Sequence, residues 1–454
     1  MNSKIKNMTQ GTPGKLIFAF ALPLMAGNIF QQLYTVVDTM VVGKFLGVNA
    51  LAALGASDWL NWMMLGIIQG FAQGFGIKMA QDFGAKDYHS LRRTIGHSVI
   101  ISLIFSVVLV ILGQMITKPV LVLLQTPDTI LQDTILYLRI MFLGIPIVMF
   151  YNLLACILRA LGDSRTPLYA MIIASIVNIL LDLLFVCVFH WGIAGAAIAT
   201  LIAQVVSGLY CLFYILKIDI IKLTKADFYL GKSLSFKLLY LGFPMAFQNA
   251  IIAIGGMVVQ FVVNGFGVTF IAGFTATNKL YVILESAAIS YGYAIVTYVG
   301  QNLGAGHTRR IRQGMRSALV IAIITSLFIA VAMLLAGKLI LSCFISGTPQ
   351  EIKETLKIAY LYLTIMSVCL PILYILHIFR SGIQGMGNTF LPMLSGIAEF
   401  IMRTVTAMFL PIVLGEIGIF FAEILAWTGA VIVLVISYLF IIRTLPADIT
   451  DRTS

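Results

Sequence analysis

Twelve long apolar runs leave this chain few ways to fold; they lie at about residues 16–44, 51–77, 95–117, 134–157, 168–190, 194–216, 239–265, 271–300, 317–337, 358–380, 392–414 and 417–442. Each is long enough to cross roughly 30 Å of hydrocarbon as a helix, where the backbone must satisfy its own hydrogen bonds. Hydrophobic residues make up 60% of the sequence and charged residues only 10%, whereas about a quarter of a soluble domain is charged. The expected fold class is therefore an all-α polytopic membrane protein with twelve transmembrane helices.

The runs fall into two sets of six that resemble each other. Val48 to Ser57 (VNALAALGAS) returns as Val268 to Thr277 (VTFIAGFTAT), and Gln81-Asp82-Phe83-Gly84-Ala85 returns as Gln301-Asn302-Leu303-Gly304-Ala305, both 220 positions later. Further on, Tyr137 to Met141 with Pro146 recurs as Tyr362 to Met366 with Pro371, and Ala160-Leu161-Gly162-Asp163 with Pro167 recurs as Gly385-Met386-Gly387-Asn388 with Pro392. An even number of spans in each copy makes both copies enter the membrane from the same side, so a pseudo-twofold axis along the membrane normal is expected. The domains read as an N-terminal lobe at 1–216, a charged cytoplasmic linker at 217–238 that tethers the lobes while letting them move, and a C-terminal lobe at 239–454. Duplicated halves of this kind are common in transporters that open alternately to either side.

The formal charge of +11 is a membrane-facing basic rim and does not point to nucleic acid. Lys4, Lys6 and Lys15 precede span 1; Lys78, Lys86, Arg92 and Arg93 follow span 2; Arg159 and Arg165 follow span 4. Lys217, Lys222, Lys225, Lys232 and Lys237 follow span 6, Arg309, Arg310, Arg312 and Arg316 follow span 8, and Arg443 follows span 12. All these loops share one side, so the positive-inside rule places both termini in the cytoplasm. The alternate loops hold chiefly Lys44, Lys118, Lys338, Lys353 and Lys357. The cysteines Cys156, Cys187, Cys211, Cys343 and Cys369 show no paired spacing, which points to neither a disulfide framework nor a zinc site. A cleaved signal peptide is not expected, since the first apolar run continues well past signal length. No phosphate-cradling glycine loop and no metal-binding histidine pair is present; His97, His190, His307 and His377 read as isolated, and His89 sits in a basic loop. An ion gradient is the expected energy source, with no organic cofactor and no obligatory protein partner.

Prolines sit at matched places inside spans: Pro23 and Pro244 early in spans 1 and 7, Pro146 and Pro371 within spans 4 and 10. Each removes a backbone hydrogen bond and kinks its helix, as a fixed bend or as a hinge. Gly66, Gly70 and Gly74 in span 2 suit close helix approach.

Ionisable residues inside spans are expensive and mark function. Asn28, Gln31, Thr35 and Asp38 fall on one face of span 1; Ser175, Asn178 and Asp182 repeat the pattern in span 5, and Thr200 and Gln204 are four apart in span 6. One shared site explains these three polar faces most economically. Two buried carboxylates without a cation repel each other, so the pair can take up a proton or hold a hard cation such as Na+ with the amide and hydroxyl oxygens of Asn178 and Thr200. In the second copy the positions matching Asp38, Asn178 and Asp182 are Val259, Arg403 and Ala407, which locates ion coupling in the first lobe. Glu399 and Arg403, four apart on span 11, suit an intrahelical ion pair with Arg380 as a third member. Glu285 and Glu423 are left as candidates for attracting a cationic substrate, with Met245, Met257, Tyr281 and Tyr291 as candidate cleft lining. Asp58 and Lys279 read as interfacial.

The residues resemble the multidrug and toxic compound extrusion (MATE) transporters, bacterial type, and more particularly their DinF-like branch. The similarity covers the whole chain and is carried by Leu22-Pro23 with Val37-Asp38-Thr39, Gln81 to Lys86 (QDFGAK), Arg159 to Pro167 (RALGDSRTP), Asn178 with Asp182, and Gly192 to Thr200 (GIAGAAIAT). The resemblance implies a V-shaped pair of lobes in the bacterial inner membrane that exports organic cations and amphipathic compounds in exchange for H+ or Na+. It implies Asp38 as the central cation-responsive carboxylate, helped by Asn178, Asp182 and Thr200, with bending of span 1 near Pro23. The expected function is a gradient-driven multidrug efflux antiporter working by alternating access, not an enzyme. A flippase for lipid-linked precursors would share the architecture, but it calls for a cationic cavity for pyrophosphate and often for extra spans. A nontransporting sensor or scaffold would not need paired intramembrane acids.

Overall fold

The computed structural model describes residues 5–342, 345 and 348–445; Lys4 and Cys343 lie outside them. The described residues form thirteen α-helices: α1 (Pro13–Leu46), α2 (Val48–Gly84), α3 (Tyr88–Leu123), α4 (Asp128–Leu143), α5 (Ile145–Ala160), α6 (Arg165–Asp182), α7 (Gly192–Ile215), α8 (Lys232–Val263), α9 (Val268–Gly304), α10 (Thr308–Ser342), α11 (Pro349–Gly385), α12 (Phe390–Leu414) and α13 (Phe421–Thr444). Among these residues ten helical stretches are apolar and long enough to span a bilayer, and α4 with α5, bent by 47°, make one more. The stretch Phe390–Thr444 holds 55 residues, about 80 Å of helix, and is divided by a 3-10 segment at Gly415–Phe420. It crosses twice, so the twelve apolar runs become twelve crossings.

Turn chemistry in the sequence sets several boundaries. Gly162 has φ 82°, and the Asp163 carboxylate accepts from the amides of Arg165 at 2.9 Å and Thr166 at 3.0 Å, starting α6. The repeat reproduces this turn with Gly387, φ 86°, and an Asn388 oxygen that accepts from the Leu391 amide at 3.1 Å. The matched prolines behave differently. Pro146 sits in the first turn of α5, just after the break at Gly144, whereas Pro371 lies inside the continuous α11. A Cβ at Gly144 would strike Leu201 of α7; the position matching Gly144 in the second copy is Cys369. The glycine permits a bend and a close approach that the second copy does not make.

The chain forms two compact units, one of Met1–Asn7 and Leu22–Ala246, the other of Met8–Ala21 and Phe247–Ser454. Two helices therefore change unit partway along, α1 beside Pro23 and α8 beside Pro244. The first half of α8 packs backbone to backbone on α2: a Cβ at Gly70 would lie 2.7 Å from the Met245 and Ala246 main chain, and one at Gly74 would overlap Gly242. The first half of α1 belongs to the second unit, where the Met8 amide donates to Gln301 at 2.8 Å and Arg310 donates to the Gly11 carbonyl at 2.9 Å. The aromatic core of that unit stacks Phe274, Tyr362, Phe420 and Phe270 in series.

The linker is fastened to the first unit. Ile218 and Ile221 are buried in its core, a Cβ at Gly96 of α3 would overlap the Asp227 carbonyl, and the Gly231 amide donates to His97 Nε2 at 2.8 Å. His97, read from sequence as isolated, also bonds through Nδ1 to the Arg93 carbonyl at 2.8 Å. Burial would push the Asp227 carboxyl up, but hydrogen bonds from the Thr224 amide and hydroxyl, with the charges of Arg92 and His89, hold it below the ordinary carboxylate value. That anchorage is present above the ordinary range near pH ~4 and is lost as pH falls through the lowered folded value. Protection of the amides across 224–231, taken relative to their intrinsic exchange rates, should therefore fall only in acid, while Asp227→Asn lowers it at neutral pH. Gly74→Ala should destabilise the α2–α8 contact by about 1–3 kcal/mol, read as a lowered thermal midpoint of the purified protein.

Candidate functional site

α6 ends at Asp182, where the helix widens into a π-helical stretch, Leu183–Val188; single π-turns often mark functional positions. Asp182 is fully buried, Asn178 one turn earlier is 1% exposed, and Asp38 of α1 is 9% exposed. The carboxyls of Asp38 and Asp182 are close enough to share a hydrogen when one is protonated. Asn178 Nδ2 donates to Thr200 Oγ1 of α7 at 3.4 Å. Tyr34, Asn178, Thr200 and Gln204 line a small cavity with Met171, Ala174 and Ala203.

Five oxygens of this cluster are buried and receive no hydrogen from the protein: Asp38 Oδ1, Asn178 Oδ1, both carboxylate oxygens of Asp182, and Gln204 Oε1. Among the described residues neither carboxylate is ion-paired with a lysine or arginine. A pocket in which five buried acceptors go without a donor suits a proton shared between the carboxyls or a hard cation held by oxygens.

Other members of the sequence-derived stripes stand differently. The exposed Thr35 turns its hydroxyl back to the Gln31 carbonyl at 3.0 Å, and Ser175 does the same to Met171 at 2.8 Å. Gln31 lies beside Tyr34, and Asn28 is partly buried with a polar partner. Pro23 lies inside the continuous helix α1. Two residues missed in the sequence, Tyr34 and Tyr137, lie within electrostatic range of both carboxylates. Tyr34, three residues after Gln31 and four before Asp38, fits the three-four spacing, and the signal for Tyr137 was its recurrence as Tyr362. Asp58, read as interfacial, lies within electrostatic range of Asp38.

The second unit neutralises its charges internally. Arg403 Nη2 donates to Glu399 Oε1 at 2.9 Å and to Glu423 Oε2 at 2.6 Å, Arg380 Nη2 donates to Glu399 Oε2 at 2.6 Å, and Arg403 Nη1 donates to the Ile252 carbonyl at 3.2 Å. Glu423, considered from sequence as a substrate residue, thus belongs to the Arg403 network. Glu285 lies 3.5 Å from His377 Nε2, so His377 is not isolated. Met245 and Tyr291 are core residues, 3% and 0% exposed, because α2 and Thr325 cover them.

Twelve crossings arranged as a duplicated six-span unit, with an uncompensated acid pair at membrane depth, define a polytopic membrane transporter. The sequence profile named MatE matches residues 23–184 and again 244–409. The chain is 32% identical over 308 residues to the "Probable multidrug resistance protein YpnP" of Bacillus subtilis, covering 68% of this chain and 69% of that protein. It is 23% identical over 386 residues to the "Probable multidrug resistance protein NorM" of Thermotoga maritima, covering 84% and 82%. A solved structure described as an outward-facing multidrug resistance MATE family transporter superposes with TM-score 0.91 at 23% identity over 98% of this chain and 99% of that one. A MATE crystal structure in a bent conformation gives 0.88 at 22% identity over 98% of each. The chain belongs to the MatE family of multidrug and toxic compound extrusion transporters. It is a multi-pass membrane transporter rather than an enzyme.

Leaving buried acceptors without donors costs about 1–3 kcal/mol each. Asp182→Asn supplies donors to the pocket and removes one of two like charges, so its thermal midpoint should rise above wild type while ion-dependent activity falls. A lowered midpoint would show that the pair is structural.

Proposed function

We propose that this protein is a secondary active antiporter that exports organic cations or amphipathic compounds in exchange for H+ or Na+. The observation that carries this reading is the pair Asp38 and Asp182, buried together without a countercharge among oxygens that lack donors. Such a site is stable only when a cation occupies it or a proton neutralises one acid, which ties ion occupancy to conformation. Asp38 and Asp182 would hold the ion, with Asn178 and Thr200 supplying neutral oxygens and Gln204 bordering the pocket. Bending of α1 near Pro23 would carry occupancy to the rest of the helix. Asn28, Gln31 and Thr35 would line the approach along α1.

Exchange requires that ion and drug favour different conformations or exclude each other. Glu285, only partly buried and faced by His377, is the second-unit acid best placed to meet a cationic substrate; Glu399, Arg403 and Glu423 are occupied with one another. The multidrug names of the relatives support drug-like substrates. The basic loops support a bacterial inner-membrane location with both termini in the cytoplasm. The flippase alternative asks for free cationic groups to bind pyrophosphate, and the buried Arg380 and Arg403 are committed to Glu399 and Glu423.

The test is uptake of a fluorescent lipophilic cation by inside-out proteoliposomes under an imposed proton gradient without Na+, comparing wild type with Asp38→Asn. Wild-type uptake that falls at least tenfold in a folded Asp38→Asn variant is expected. A response to Na+ alone would change the ion and keep the mechanism. Silence under both gradients would overturn efflux and favour the lipid flippase.

A further inference from the structure

The two halves of the repeat treat one buried position in opposite ways. In the first unit the position is Asn178 on α6, surrounded by oxygens from α1, α6 and α7 that receive no hydrogen from the protein. Its repeat partner is Arg403 on α12, 225 positions later, the same offset that relates Tyr137 to Tyr362. The helices correspond as well: α8 matches α1, and α13 matches α7.

At this second position the cation is part of the chain. The Arg403 side chain is 5% exposed, and its two terminal nitrogens reach Glu399 on α12, Glu423 on α13 and the Ile252 carbonyl on α8, at 2.9, 2.6 and 3.2 Å. Arg380 takes the other oxygen of Glu399 at 2.6 Å. Room for the head group comes from Gly255, where a Cβ would stand 3.1 Å from Arg403 Nη1. Nη2 donates to both carboxylates while Nη1 of the same rigid planar head group reaches the Ile252 carbonyl, so one guanidinium ties three helices together.

We propose that the Arg403 guanidinium is a tethered cation, holding α8, α12 and α13 permanently in the cation-occupied arrangement that α1, α6 and α7 reach only when an exchangeable ion binds. This rests on the reading of the Asp38–Asp182 pair as the ion site. The coupling ion then has one exchangeable centre per chain, and the second unit carries substrate-dependent change without responding to the gradient. Removing the side chain should leave a seat for a small planar organic cation between Glu399, Glu423 and the Ile252 carbonyl.

The experiment is chemical rescue of Arg403→Ala by free guanidinium at low millimolar concentration, with potassium at equal ionic strength as the control. Thermal midpoint and lipophilic-cation uptake are both read in lipid nanodiscs or proteoliposomes. Guanidinium should raise the Arg403→Ala midpoint by several degrees and restore most of the lost uptake. It should leave unchanged both wild type and the charge-balanced double variant Arg403→Ala with Glu423→Gln, whose remaining Glu399 stays paired with Arg380. If Arg403→Ala needs guanidinium even to be recovered folded, the same conclusion follows. If its folding and uptake are the same in guanidinium and potassium, Arg403 is a passive cross-link and the proposal fails. Wild type and Asp38→Asn assayed alongside report on the ion-exchange reading separately, since neither touches Arg403.

Discussion

Charge placed in hydrocarbon must be neutralised within a few ångströms, and each half of this protein is organised around how that is done. The penalty for an ionised side chain at helix centre is about 2.5–3.5 kcal/mol on the lowest scale, enough to make every intramembrane acid a structural commitment. In the second unit the commitment is met by the protein itself, because Arg380 and Arg403 bind Glu399 and Glu423. In the first unit Asp38 Oδ1 and both carboxylate oxygens of Asp182 are buried without a donor. The same helical scaffold thus yields a half cross-linked by its own ion pairs and a half whose acid pair has no lysine or arginine partner among the described residues.

Close backbone packing ties the linker and the first half of α8 to the first unit. The linker lies against Gly96 and His97, and the first half of α8 lies against Gly70 and Gly74, so the loop between the repeats is part of the first unit. The chain passes from one unit to the other inside α1 and α8, beside Pro23 and Pro244. A proline within a helix leaves a carbonyl without its usual partner, so each passage between units lies beside a missing helical hydrogen bond.

Much of the architecture was legible because hydrocarbon imposes a length and duplication leaves a trace. Apolar runs showed the twelve crossings, and the recurrence of Ala160-Leu161-Gly162-Asp163 as Gly385-Met386-Gly387-Asn388 showed a turn used twice. The three-four spacing found Asp38, Asn178 and Asp182. It could not tell that Thr35 and Ser175 spend their hydroxyls on their own helices, because a side chain's choice between backbone and neighbour depends on what packs opposite. Tyr34 and Tyr137 were missed because an aromatic side chain in a span reads first as apolar packing. His97 and His377 looked isolated since their partners are a linker amide and an acid on another helix.

By itself, the sequence determined the class of protein, the number of crossings, the duplication and the residue types available at membrane depth, because these follow from composition, periodicity and the thickness of a bilayer. Only the tertiary structure decided which charges meet. Glu423 joins Arg403 across two helices, and Pro146 bends its span beside Gly144 while Pro371 does not. Such outcomes turn on distances of a few ångströms between segments far apart in the chain, and a one-dimensional pattern holds no record of them.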